Sequence, residues 1–164
     1  MHIFLNSNKK EEKFLREKLP PLDFSKENKK DLRDLSRVMR KAMREANGIG
    51  LSANQIGIAK RIFVAEVPDN EGRLKFYFVV NPKITKLSKG LTDLEEGCLS
   101  VPGKYGFVSR SEKIVLEGLN IQGKKLKIKA WGLLARVFEH EVDHLDGKLF
   151  VDKAKELRNI EKEK

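Results

Sequence analysis

The sequence predicts an α+β fold, with mixed or antiparallel strands packed around a central helix. Three observations lead there: a helical apolar period in the first third, a run of strand-like segments in the middle, and a second helical segment towards the end. Strands bracketed by helices, without regular alternation, argue against a doubly wound parallel sheet.

The first helix follows the break at Pro20 and Pro21. There Leu32, Leu35, Val38, Met39, Ala42 and Met43 recur at helical spacing until Asn47 and Gly48 stop the pattern. Residues 62–67, 76–80 and 113–119 are rich in branched and aromatic side chains and read as strands. A hairpin is expected over residues 120–129, with Gln122 and Gly123 at its turn and Leu126 and Ile128 alternating with lysines. The second helix is expected from about residue 131 to residue 145. Residues 1–151 read as one catalytic domain, and residues 152–164 as a charged tail whose lysine, arginine and glutamate alternate as on a solvated helix.

At 164 residues the chain is long enough to bury a core and shape a cleft. Charged residues make up 35% of it and the formal net charge is +10, so its surface favours polyanions or simply solubility. Cys98 is the single cysteine, which excludes an internal disulfide and fits a reducing compartment. The first ten residues, MHIFLNSNKK, lack the pattern of a secretory leader, and no apolar run is long enough for a bilayer. A cytoplasmic protein without membrane contact is the expectation.

The second helix carries Glu139-His140-Glu141-Val142-Asp143-His144, an H-E-x-x-H motif. One helical turn separates the two histidines, so both imidazoles lie on one face and can reach one cation. Leu133 and Val137 share that face, and Leu134, Phe138 and Leu145 flank Glu141. Ionisable groups in such an apolar stripe need partners. Arg136, Glu139 and Asp143 fall on a neighbouring polar strip, where surface ion pairing is expected, with support of a ligand as the lesser option for Asp143.

Two histidines need a third donor. Cys98, in Glu95-Glu96-Gly97-Cys98-Leu99-Ser100 after a thin strand-like segment at 91–94, supplies a thiolate suited to a borderline-soft divalent ion. His2, the remaining histidine, lies in a polar terminal segment and is no obvious fourth ligand. A position left open to water means catalysis, because a cation lowers the pKa of bound water, and Glu141 stands ready to take its proton. A third segment, residues 48–57, is glycine-rich without the spacing of a phosphate loop. Its small residues allow close backbone approach, and Gln55 offers a neutral donor to an oxyanion.

These three segments, in this order and spacing, resemble the signature motifs of the peptide deformylases. The likeness continues through Val101-Pro102, Arg110 and the His144-Leu145-Asp146-Gly147 extension, and covers roughly residues 32–152. The resemblance implies a hydrolase that removes the formyl group from the N-terminal methionine of newly made chains. Cys98, His140 and His144 would then hold one divalent metal ion, ferrous iron by family habit, although the donors also suit zinc, nickel or cobalt. Glu141 would act as general base and then acid, while Gln55 and the Leu99 N–H would hold the oxyanion. Gly50 and Gly97 would meet the substrate backbone, and Ile49, Leu133 and Val137 would line the pocket for methionine. Arg110 would pair with Glu96 and stiffen the ligand loop. Departures from the family pattern are Ser52 for alanine, Glu139 for glutamine, Arg136 for an apolar residue and Tyr105 for arginine, the last two at positions expected near the pocket rim.

Two rival readings have physical content. An H-E-x-x-H metallopeptidase would draw its third ligand from downstream, where Asp146, Asp152, Glu156, Glu161 and Glu163 are the candidates. Alternatively, a non-catalytic basic module would bind RNA or the ribosome and use the metal as a staple. For an enzyme acting on nascent chains, ribosome contact through the basic surface or the tail is a further expectation.

Overall fold

The computed structural model describes residues 1–160. Two antiparallel sheets and a long helix between them make the frame. In the five-stranded sheet the spatial order is β1 (Gly50–Ser52), β2 (Ile62–Pro68), β3 (Leu74–Leu87), β6 (Lys113–Leu119), β7 (Lys125–Trp131). The three-stranded sheet runs β4 (Leu91–Cys98), β5 (Val101–Ser111), β8 (Lys155–Asn159). The expected hairpin is β6–β7, in register from Lys113 opposite Trp131 to Leu119 opposite Lys125.

Helix α1 (Lys9–Leu15) is capped by Asn8, whose side chain accepts the Lys10 and Glu11 N–H groups. The segment before it ties two parts of the molecule together. Its Phe4 N–H reaches the Gln55 carbonyl at 2.8 Å, and its Asn6 N–H reaches the Ser100 carbonyl at 2.9 Å. Helix α2 (Lys29–Glu45) lays Leu32, Met39, Ala42 and Met43 on β1, β2 and β3, where Leu51, Ile62, Val64 and Val80 complete one core. Helix α3 (Gly132–Leu145) packs Ala135, Phe138, Val142 and Leu145 against the other face of the same strands, with Phe63, Ala65 and Val79. Its 14 residues, nearly four turns, therefore sit in the middle of the molecule, and the histidines they carry are held by buried backbone.

Several expectations change. Strand β3 runs on to Leu87 because a register shift between Val80 and Lys83 accommodates Pro82, which has no N–H for the ladder. The thin segment at 91–94 extends to Cys98 because β5, an element without clear alternation, pairs with it from Leu91 to Cys98. The tail is not helical where it is described: Lys155–Asn159 forms β8 on the free edge of β5, with Lys104 opposite Asn159 and Tyr105 opposite Arg158. Satisfying that edge outweighs the local helical preference of a charged segment. Residues 161–164 lie outside the described part.

Glu66 of β2 is buried and receives both Arg40 and Arg44 from α2, the latter at 2.8 Å from Nε. Burial alone would raise its pKa, but the two guanidiniums hold it below the ordinary carboxylate value. Such a group adds stability that is complete above its unfolded pKa and is lost as pH falls through its folded pKa. Glu66→Gln should therefore lower stability by roughly 1.5–3 kcal/mol near neutral pH. In denaturant titrations that gap should shrink on acidification to about pH 3; a gap independent of pH would show that the ion pair does not dock α2.

Candidate active site

Cys98 ends β4 at the tight turn into β5, and His140 and His144 stand one turn apart on α3. Their ligand atoms all lie within 4.8 Å of one another. Cys98 Sγ is 3.2 Å from His144 Nε2, which is 3.1 Å from His140 Nε2. Donors around one tetrahedral ion stand about 3.3–3.6 Å apart, so one sulfur and two imidazoles here fit a single divalent cation. Without a cation the two imidazoles respond differently to their surroundings. Burial opposes charge on His140, yet hydrogen bonding to Cys98 and Glu96 outweighs it and raises its pKa to about 10. Burial and the neighbouring His140 push His144 well below its ordinary value.

Glu96 organises this cluster. It is buried on β4, two residues before Cys98, and its Oε2 accepts from His140 Nδ1 at 3.0 Å. With a cation bound, that bond would keep the imidazole proton on Nδ1 and leave the Nε2 lone pair free for the metal. Arg110 of β5 donates to both oxygens, at 2.6 and 3.0 Å. Arg136 of α3 adds a third grip, its Nη1 reaching Oε1 at 2.7 Å while the same guanidinium donates to the Val108 and Thr92 carbonyls. Burial opposes charge on Glu96, yet the hydrogen bonds and charges of His140 and Arg110 hold its carboxyl well below the usual carboxylate range.

Arg136 and Asp143 were expected on a surface strip, and the structure places them otherwise. Sheet β4–β5–β8 covers that side of α3, so Arg136 is buried; it lines the cleft as expected, with its guanidinium turned inward to Glu96. Asp143 supports Arg110 at 2.9 Å and also receives Lys153 at 2.8 Å. Glu139 is likewise enclosed, and burial raises its pKa. Tyr105 does line the cleft, with its ring 2.6 Å from where a Cβ on Gly97 would stand.

Around the cluster opens a cleft of about 580 Å³ lined by Ile49, Gly50, Gly97, Leu99, Leu133 and Val137, among others. Gln55, Glu96, Cys98, His140 and Glu141 reach it too, whereas His144 and Arg110 lie behind its wall. Glu141 is buried, and burial raises its pKa against the opposing pull of His140 and of a hydrogen bond from Ser52. Ser52 Oγ stands 2.6 Å from Glu141 Oε2. Gln55 is fixed by its own carbonyl, which accepts the Ser52 N–H at 2.9 Å, so its amide nitrogen faces Ser100 Oγ at 3.0 Å and Cys98 Sγ at 3.7 Å. Any Cβ on Gly50 would collide with the Glu141 carboxylate. Ser52 and Ser100 are site residues that sequence reasoning missed. The Ser52-Ala53-Asn54-Gln55 spacing, an S-x-x-Q pattern at a helix start, was the available signal for the first.

Of the downstream carboxylates that a peptidase reading would need, Asp146 pairs with Arg61 at 2.8 Å and Asp152 with Arg16 at 2.5 Å, Glu156 is exposed on β8, and Glu161 and Glu163 lie outside the described residues. Residues 6–159 match the family described as polypeptide deformylase. The chain belongs to the polypeptide deformylase family. It is therefore an enzyme, a metal-dependent hydrolase of N-terminal formyl groups, and the non-catalytic reading falls away. Among its relatives, the peptide deformylase of Pelotomaculum thermopropionicum is 48% identical over 122 residues, covering 74% of this chain and 75% of that protein. That of Elusimicrobium minutum is 40% identical over 92% of this chain and 93% of its own length. Crystal structures agree: a class I type b peptide deformylase from Acinetobacter baumannii bound to Met-Ala-Ser superposes with a TM-score of 0.84 at 32% identity, covering 93% of this chain and 97% of that one.

Within this deformylase cleft, Arg136→Met should loosen Glu96 and with it the His140 ring. Loss of an outer partner typically weakens metal binding by about 10–100-fold. Chelator competition with zinc measures this directly, and an unchanged affinity would show that Arg110 alone holds the carboxylate.

Proposed function

We propose that this cleft hydrolyses the N-terminal formyl group of newly made chains, with Cys98, His140 and His144 holding one divalent cation. One observation carries the reading: a thiol, two imidazoles, a buried glutamate and an amide donor converge on one small space between two sheet edges. When bound, such a cation lowers the pKa of water and polarises a carbonyl oxygen. Ferrous iron is the ion the resemblance implies, and the donors would accept zinc, nickel or cobalt as well.

Glu141 takes a proton from the attacking water, whose oxygen bonds to the formyl carbon. Burial suits it for this, since a carboxylate with a raised pKa is a stronger base. As charge grows on the former carbonyl oxygen, the Gln55 amide and the Leu99 N–H donate to it. The C–N bond then breaks, Glu141 returns the proton to the departing nitrogen, and formate and a free amine result. Because β1 and β4 are edge strands, Gly50 and Gly97 offer unpaired backbone to an extended peptide. Ile49, Leu133 and Val137 would receive its first side chain. The related Acinetobacter baumannii protein binds Met-Ala-Ser, and a methionine side chain suits this apolar wall.

No helix among the described residues is long and apolar enough to cross a membrane. We place the enzyme in the cytoplasm, acting on nascent N-formylmethionyl chains and touching the ribosome through its basic surface or residues 152–164.

Anaerobically purified protein should release formate from a formyl-Met peptide far faster than acetate from its acetyl counterpart. Gln55→Ala should reduce turnover by about two to three orders of magnitude, and Glu141→Ala by more, with metal content unchanged. Comparable rates on the two peptides, or full activity in Glu141→Ala, would overturn the assignment.

A further inference from the structure

The hairpin β6–β7 has two unlike faces. Leu126, Ile128 and Ala130 of β7, with Ile114 and Leu116 of β6 and Ile84 of β3, face α3 and the core. On the opposite face, register sets Lys113 beside Trp131, Val115 beside Lys129, Glu117 beside Lys127 and Lys83, and Lys86 beside Val115. Lys125 completes the outer row of β7. Six lysines thus share one sheet face with a single carboxylate, Glu117, which lies 3.6 Å from Lys127. Among the described residues the other five have no carboxylate within ion-pair distance.

At the end of this face stands Trp131, the only tryptophan of the chain, with 56% of its surface exposed. A shallow groove bordered by Lys86, Lys113, Val115 and Lys129 runs beside its ring. Lysines on an edge strand do discourage edge-to-edge pairing. That purpose accounts for β7 alone; it leaves Lys113 on β6, Lys83 and Lys86 on β3, and an exposed indole without explanation.

We propose that this outer face of β3, β6 and β7 binds a single-stranded segment of RNA, its phosphates on the lysines and one base stacked on Trp131. Lys125, Lys127 and Lys129 repeat every two residues, about 7 Å along the strand, a row able to follow a phosphate backbone. An indole with an open face gives an unpaired base its platform. A lipid surface would call for several apolar side chains projecting together, and this face is led by cations. The proposal sharpens the ribosome contact suggested above, on which it rests, by naming a surface and a ligand. Trp131 lies two residues before Leu133 of the cleft wall, so RNA held here would bring the cleft mouth next to its source.

Because Trp131 is the sole tryptophan, its fluorescence reports this face alone. A short oligouridylate added to the full metal-loaded protein should quench it, with affinity falling steeply as salt rises, at a logarithmic slope of about −0.7 per phosphate bound. The triple variant Lys125→Gln, Lys127→Gln, Lys129→Gln should bind at least about ten-fold more weakly and with a shallower slope. A charge-matched control, Lys29→Gln, Lys30→Gln, Lys41→Gln on α2, should bind as the parent does, and all three proteins should melt alike. Absence of quenching, or equal weakening in the two variants, would overturn the proposal. A blue shift with phosphatidylserine vesicles and no response to RNA would also overturn it and assign the face to membranes. Ribosome co-sedimentation that survives loss of oligouridylate binding would sink this surface and leave ribosome contact standing, and formate release serves as a separate readout of the cleft.

Discussion

One buried carboxylate carries the architecture of the site. Glu96 belongs to the strand that ends in Cys98, and it is gripped by Arg110 from the neighbouring strand and by Arg136 and His140 from helix α3. The second sheet is thereby locked to the helix in the one register that sets sulfur against imidazole. An ion buried to this degree would be costly unless every lone pair found a donor. Glu96 meets that condition with four donor contacts from three residues.

From that junction the chemistry follows by exclusion of bulk. Gly50 leaves room for the Glu141 carboxylate and Gly97 for the Tyr105 ring, so two glycines open a cleft that any side chain would close. Both belong to edge strands, and the same absence of side chains that admits the neighbours exposes backbone to a peptide. Ser52 and Gln55 form a small unit beneath them. The backbone of one orients the amide of the other, and the Ser52 hydroxyl steadies the glutamate. The N-terminal segment completes the enclosure by bonding to the carbonyls of Gln55 and Ser100.

What could be read from residues alone was whatever has a short-range signature. Helices α2 and α3 announced themselves by period, the β6–β7 hairpin by alternation around a glycine turn, and the ligand set by motif and resemblance. Strand β5 escaped because Pro102, Gly103 and Gly106 interrupt any alternation, and β8 because its conformation is imposed by the edge it covers. Missing that sheet had a direct cost at the site. With no layer foreseen over that side of α3, Arg136 and Asp143 looked solvated, when they are the posts on which Glu96 and Arg110 stand. Ser52 shows the other limit: it was visible as a departure from the family pattern, but only folding brings it within reach of Glu141.

The central claim is that one sulfur and two imidazoles, set in register by Glu96, share a single cation. X-ray absorption at the metal edge of zinc-loaded protein tests it most directly. The account predicts one sulfur scatterer at about 2.3 Å and two imidazole nitrogens at about 2.0–2.1 Å, with the sulfur signal absent from Cys98→Ser. A first shell of nitrogen and oxygen alone in the unaltered protein would contradict it.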